Sequence, residues 1–188
     1  MKIVILSGST VGSKTSTAMT YLNEAISHQH EEHEIQFFDL KNLNLSFSDG
    51  RNYLDYSGDT LEFTTALMQA DIIFIGFPIF QASIPGTLKN VFDLLPVNAF
   101  RDKVIGIIAT AGSPKHYLIP ETQLKPILGY MKAHIIQTYV FIEERDFSQG
   151  TIVNDDILFR IEELATSTLR VSKVYSQIIE EENDQYDF

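Results

Sequence analysis

A chain of 188 residues, 44% hydrophobic and 21% charged, has the composition of one well-buried globular domain and is short for two. It contains no cysteine, which excludes a disulfide framework and thiolate catalysis and suits a reducing, cytoplasmic setting. A formal net charge of −11 would repel phosphate backbones, so nucleic acid is not expected as a partner and an anionic ligand has to be held by local donors.

Lys2 to Ser7 reads as a buried strand, and its apolar run is too short for a signal segment or a membrane span. No other run approaches bilayer length, so no membrane partner is expected. Gly8-Ser-Thr-Val-Gly-Ser-Lys-Thr-Ser-Thr follows, and then a helical pattern through Ala18, Met19, Leu22, Ala25 and Ile26. Backbone N–H groups, the positive end of the helix and hydroxyls from Ser9, Ser13, Thr15 and Ser16 can converge there on a phosphate. A nucleotide P-loop would need glycine where Ser13 stands, and a dinucleotide fingerprint would need more glycines than Gly8 and Gly12. The segment from His28 to His33 offers metal-ligand residue types, but they straddle a helix end without fixed geometry, so no metal is expected. Glu34 to Leu40 reads as the second strand, with Asp39 as a turn or cap residue. A long loop with Tyr53 and Tyr56 runs from Lys41 to Asp59, as a surface excursion or beside a site or subunit contact, and Leu61 to Ala70 forms the next helix.

Ile72 to Phe77 is an apolar run of the kind buried on both faces of a parallel sheet, and Pro78 ends its pairing. The loop from Pro78 to Ala82 is pinned between that proline and a helix with Ser83 as N-cap and Pro85 early, carrying Leu88, Val91, Phe92 and Leu95 as far as Pro96. Lys103 to Ala109 is a fourth strand, followed by Thr110-Ala-Gly-Ser-Pro-Lys-His-Tyr, where Gly112 lets backbone approach a flat ring closely. Lys115 and His116 would supply positive charge beside such a ring. A helix through Leu124, Ile127, Leu128 and Met131, kinked or started by Pro126, leads to a fifth strand at His134 to Ile142. Asn154 to Ile179 is a long amphipathic helix, and 181–188 an acidic, disordered tail beyond a single domain at 1–180. Alternating strands and helices imply an α/β fold with a parallel sheet. In the order 2-1-3-4-5, the ends of strands one, three and four lie side by side, and their loops share one cleft.

The run from Pro78 to Asp93 closely resembles the flavin loop of the NAD(P)H-dependent FMN reductase family, a flavodoxin-like group that includes quinone, azo and chromate reductases. Its Ala-Ser and Asp-Leu-Leu-Pro ends look most like flavin reductases that serve alkanesulfonate monooxygenases. Gly8-Ser9 with Ser13-Lys14-Thr15 is similar to the family's phosphate loop, and Thr110 to Tyr117 to its second ring loop. The likeness runs from Met1 to about Phe141. It implies a flavodoxin-like three-layer sandwich with a five-stranded parallel sheet, and FMN held by Ser9, Ser13, Lys14, Thr15, Ser16, Pro78, Ile79, Phe80, Gln81, Ala111, Gly112 and Ser113. NADPH or NADH would be the co-substrate, in a homodimer or homotetramer that contacts itself near Phe92, Val97 and Phe100 and has a possible partner monooxygenase. A quinone or azo reductase with prosthetic FMN and a noncatalytic flavodoxin-like electron carrier are the alternatives. In the alkanesulfonate-type reductases an aromatic residue produces a π-bulge in the helix after the third loop. Thr122 takes its place here, so a regular helix and a retained flavin are expected.

Overall fold

The computed structural model describes residues 1–28 and 32–186. Five parallel strands, β1 (Lys2–Ser7), β2 (Glu34–Asp39), β3 (Ile72–Pro78), β4 (Val104–Ala111) and β5 (His134–Ile135), lie in the order β2-β1-β3-β4-β5. A sixth strand, β6 (Val140–Glu143), also pairs with β4, beyond β5. The crossovers are α1 (Lys14–Ser27), α2 (Gly58–Gln69), α3 (Gly86–Asp93) and α4 (Lys125–Tyr130), and α5 (Asp155–Tyr186) closes the chain.

Alternation along the strands builds two cores. Val4, Leu6, Ile73, Ile75, Phe77, Ile105 and Ile107 pack beneath α2, α3 and α4, whose Phe63, Leu88 and Leu128 complete that layer. Ile3, Ile5, Ile72, Phe74, Val104 and Ile108 face α1 and α5 through Met19, Leu22, Ile161 and Leu164. A strand apolar at every position is what a sheet covered on both faces requires. The expected three layers, strand order and flavodoxin-like architecture are therefore present. No helix among the described residues is long and apolar enough to cross a membrane.

Four elements differ from expectation. The fifth strand is broken: Ile105 pairs with Ile135 and Ile108 with Val140, so four residues, 136–139, span a gap that two residues span on β4. The two surplus residues bulge outward, and Lys125 Nζ donates to the displaced Gln137 carbonyl at 2.8 Å. Secondly, a small antiparallel hairpin, β7 (Phe147–Ser148) with β8 (Thr151–Ile152), follows β6. Its two turn residues, Gln149 (φ 48°) and Gly150 (φ 83°), adopt the left-handed backbone that matches hairpin twist. Thirdly, α3 begins at Gly86 with Pro85 as its cap, not at Ser83. Finally, α5 runs on to Tyr186, into the segment expected as a disordered acidic tail, and residues 187 and 188 lie outside the described residues. The long loop runs beside α3, where Asn90 accepts from Ser48 N and donates to Ser46 O, each at 2.9 Å. Of the histidine-rich segment, residues 29–31 lie outside the described residues.

Candidate active site

The ends of β1, β3 and β4 open into a cleft of about 450 Å³. Gly8 N donates to Gly76 O at 2.7 Å, and a Cβ on Gly8 would stand 2.9 Å from that carbonyl, so the first loop leaves the sheet at backbone contact with β3. Ser9 Oγ donates to Val11 O at 2.6 Å and accepts from Val11 N at 3.3 Å, which spends this hydroxyl on the turn itself. Gly12 (φ 74°) reverses the chain, and Ser13 then caps α1 with no hydrogen bond from its side chain to the cap. The first turn of α1 carries no acidic residue. Its N–H groups and the Ser13 hydroxyl thus stand ready for an anion. Thr15, only 3% exposed, shares a 2.8 Å hydroxyl contact with Thr110 at the end of β4, tying the first loop to the third.

The second loop leaves β3 through Ile79, whose N–H donates to Thr110 O at 2.9 Å. Phe80 and Ser83 then exchange backbone hydrogen bonds of 3.1 and 2.9 Å around Gln81 (φ 48°) and Ala82 (φ 55°). Two left-handed non-glycine residues in one tight turn are strained, and the turn pushes Phe80 out against the cleft. On the third loop, a Cβ built on Gly112 would meet nothing within 4 Å, so an open backbone surface faces the cavity.

Of the anticipated residues, Ser9, Ser13, Lys14, Thr15, Pro78, Ile79, Phe80, Ala111 and Gly112 line this cleft. Ser16, Gln81 and Ser113 do not. Ser16 lies within α1, Gln81 occupies the turn, and Ser113 Oγ accepts from Lys115 N at 3.3 Å to cap the short turn Pro114–His116. Val11, Gly12 and Thr110, from the loops already marked out, also line the cleft, and Glu144 and Phe147 line it unforeseen. Glu144 forms an ion pair with Lys14 across it, and the Lys14 ammonium lies 5.9 Å from the centre of the Phe147 ring. A surface glutamate carries no local signal of such a role. The dipeptide Gln149-Gly150 hinted weakly at the hairpin that brings Phe147 in.

The regular helix expected after the third loop is a π turn, Pro120–Leu124, in which Lys125 N donates to Pro120 O. No aromatic residue stands within the turn, whose residues are PETQL, and Pro126 favours the widening: proline has no N–H and its ring clashes with the carbonyl four residues earlier. Ser83 Oγ donates to Gln123 Oε1 at 3.3 Å, which leans the π turn on the second loop. Tyr139 OH donates to Tyr117 O at 2.6 Å behind it, and burial, followed by the neighbouring Tyr117, holds the Tyr139 phenol well above its ordinary range.

Fold and cleft define a flavodoxin-like protein, with an anion site at a helix N-terminus beside an open surface suited to a flat ring. At the level of fold alone, flavodoxin 1 of Bacillus cereus superimposes with a TM-score of 0.63 at 15% identity, over 90% of this chain and 98% of its own. The sequence model for NADPH-dependent FMN reductase matches residues 1–146, and the chain belongs to that family of flavin oxidoreductases. It is 37% identical over 166 residues to an NAD(P)H-dependent FAD/FMN reductase of Geobacillus thermodenitrificans, covering 88% of this chain and 90% of the relative. An FMN reductase (NADPH) of Escherichia coli is 31% identical over 146 residues, covering 77% and 74%. The apo structure of an NADH:FMN oxidoreductase (EMOB) has a TM-score of 0.75 at 26% identity, over 88% of this chain and 87% of that one.

Proposed function

We propose that this chain catalyses hydride transfer from NADPH or NADH to FMN taken up in the cleft, and that FMN enters and leaves as a co-substrate. What supports the reading most is the meeting of three loops, far apart in sequence, at the carboxyl edge of β1, β3 and β4. FMN, when bound, supplies a ring that accepts hydride from a nicotinamide stacked against it. The protein's own part is binding and orientation. Ser13 Oγ and the first N–H groups of α1 would hold the phosphate, Ile79 and Phe80 would border the ring, and Gly112 would let the third loop approach it closely. Lys115 and His116 follow on the turn Pro114–His116, where positive charge favours the reduced ring.

Exchange is favoured over retention by two features. The π turn removes the ground on which a retained flavin was expected. The phosphate end also relies on hydroxyls and N–H groups, because Lys14 is already engaged by Glu144. Protein that leaves gel filtration colourless, oxidises NADPH or NADH only with added FMN, and shows a sequential kinetic pattern supports the reading. A yellow protein with ping-pong kinetics would establish prosthetic FMN instead, and failure to oxidise either nicotinamide with FMN would end the enzyme reading.

We further propose a cytoplasmic homodimer that hands reduced FMN to a monooxygenase. An apolar depression of about 400 Å³ between α3 and α4 supports self-association, with Val97 and Tyr130 at its rim, 71% and 72% exposed. Of the two phenylalanines expected there, Phe92 lines the floor of this depression and Phe100 does not reach it. They are 5% and 1% exposed and pack edge to face on each other inside the core, at 6.2 Å between ring centres.

A further inference from the structure

We propose that Glu144 is a release residue: it competes with the flavin phosphate for Lys14, lowers the affinity for phosphorylated flavin and speeds its departure. The inference rests on the FMN reading above. Lys14 opens α1 on the phosphate side of the cleft, and its ammonium is paired with the Glu144 carboxylate, which comes from the opposite wall. Glu144 belongs to a short turn, Glu144–Asp146, that is fixed from beneath. Buried Asp146 accepts from Glu143 N at 2.8 Å and from Asn154 Nδ2 at 2.7 Å, and its carbonyl accepts from Val153 N at 2.8 Å. The neighbouring Arg145 is held by Glu143 at 2.8 Å, pairing the one with the other and leaving Glu144 to Lys14. The Glu144 side chain is itself 66% exposed, so packing does not account for its position.

A carboxylate is thereby held at the lip of a site whose remaining donors are neutral. An ion pair this exposed is cheap to open, so Lys14 can turn from Glu144 to an arriving phosphate. The Glu144 charge then stays nearby and repels the phosphate. When the phosphate withdraws, Glu144 takes Lys14 back, and the lost contact is replaced at once. Riboflavin has no phosphate and passes the same lip without either effect. A surface pair that merely stapled the turn to α1 would change stability and leave the choice between flavins untouched.

The test is fluorescence titration of the whole chain with FMN and with riboflavin, for wild type, Glu144→Gln, Glu144→Ala, Lys14→Gln and the Lys14→Gln/Glu144→Gln double variant. Removing the Glu144 charge should tighten FMN by about tenfold, slow its dissociation comparably, and leave riboflavin affinity within about twofold. Lys14→Gln should cost more FMN affinity in the Glu144→Gln background than in wild type, since the lysine is then free for the phosphate. Unchanged or weaker FMN binding by both Glu144 variants, or equal tightening of the two flavins, overturns the proposal while the FMN reading stands. Wild-type protein that binds neither flavin overturns both.

Discussion

Replacing Gly76 by alanine tests whether the close approach of α1 to β3 builds the phosphate end of the cleft. A Cβ there would lie 2.3 Å from Met19 Sδ, 2.6 Å from Met19 Cγ and 3.3 Å from Thr15 Cγ2. Non-bonded carbon atoms settle at roughly 3.5 to 4.0 Å, so the methyl group demands a movement of about 1 Å or more. Met19 is fully buried, so either its side chain leaves a favoured rotamer or α1 lifts from the sheet. Overpacking of this kind costs about 1–3 kcal/mol, and loosening the 2.8 Å contact between Thr15 and Thr110 adds roughly 1 kcal/mol more. Urea unfolding of Gly76→Ala should therefore show a loss of about 2–4 kcal/mol, with weaker FMN binding because Ser13 rides on the displaced helix. Met19→Ala alone should cost about 2–5 kcal/mol by opening a cavity, and the double variant should cost less than the sum because the new methyl group fills part of it. Additive losses, or a Gly76→Ala protein as stable and as tight for FMN as wild type, would refute the reasoning.

Ser13→Ala should weaken FMN by roughly 1.5–3 kcal/mol in a binding titration while sparing riboflavin, whereas Thr15→Val should lower folding stability as well, because its hydroxyl is buried against Thr110. Val97→Glu and Tyr130→Glu should give monomers in sedimentation at micromolar protein, and a wild-type monomer would end the dimer proposal. Lys103 donates to Met68 O at 2.8 Å and Ala70 O at 2.6 Å, and burial holds its ammonium below the ordinary 10.5, with Asp71 and Asp102 opposing the shift. Between that lowered value and 10.5 the unfolded chain binds more protons, so this residue should make the protein more stable as pH rises there. Lys103→Met should abolish that increment in denaturation measured against pH.

The central strands were readable because β3, most of β4 and the middle of β1 are apolar and buried at successive positions, a pattern with few outlets other than a sheet covered on both faces. The carboxyl-edge loops were readable for a related reason: Pro78 and Gly112 are residues that backbone geometry singles out. What escaped was set by distant partners. His134 to Ile142 looks continuous, and its break exists only because β4 offers two residues where the outer strand brings four. Ser83 is as good a cap as any serine, yet the turn at Gln81 and Ala82 spends its backbone on Phe80. Glu144 resembles any solvated carboxylate until the turn around Asp146 sets it opposite Lys14. Thr122 was the wrong residue from which to judge the helix, since Pro126 favours its widening from the other side.

That widened turn also makes chain length a structural variable. In it Lys125 N reaches back five residues, where an α-helix would reach back four, so the segment holds one residue more than a regular helix between the same ends. The extra residue is absorbed locally, and α4 beyond it keeps Leu128 seated in the core. Deleting one residue between Pro120 and Lys125 together with Pro126→Ala would close the helix without shortening the distance it spans. A related chain with a regular turn here should therefore align with a single-residue gap, and it would rotate the position of Gln123 away from Ser83, leaving the second loop to find another support.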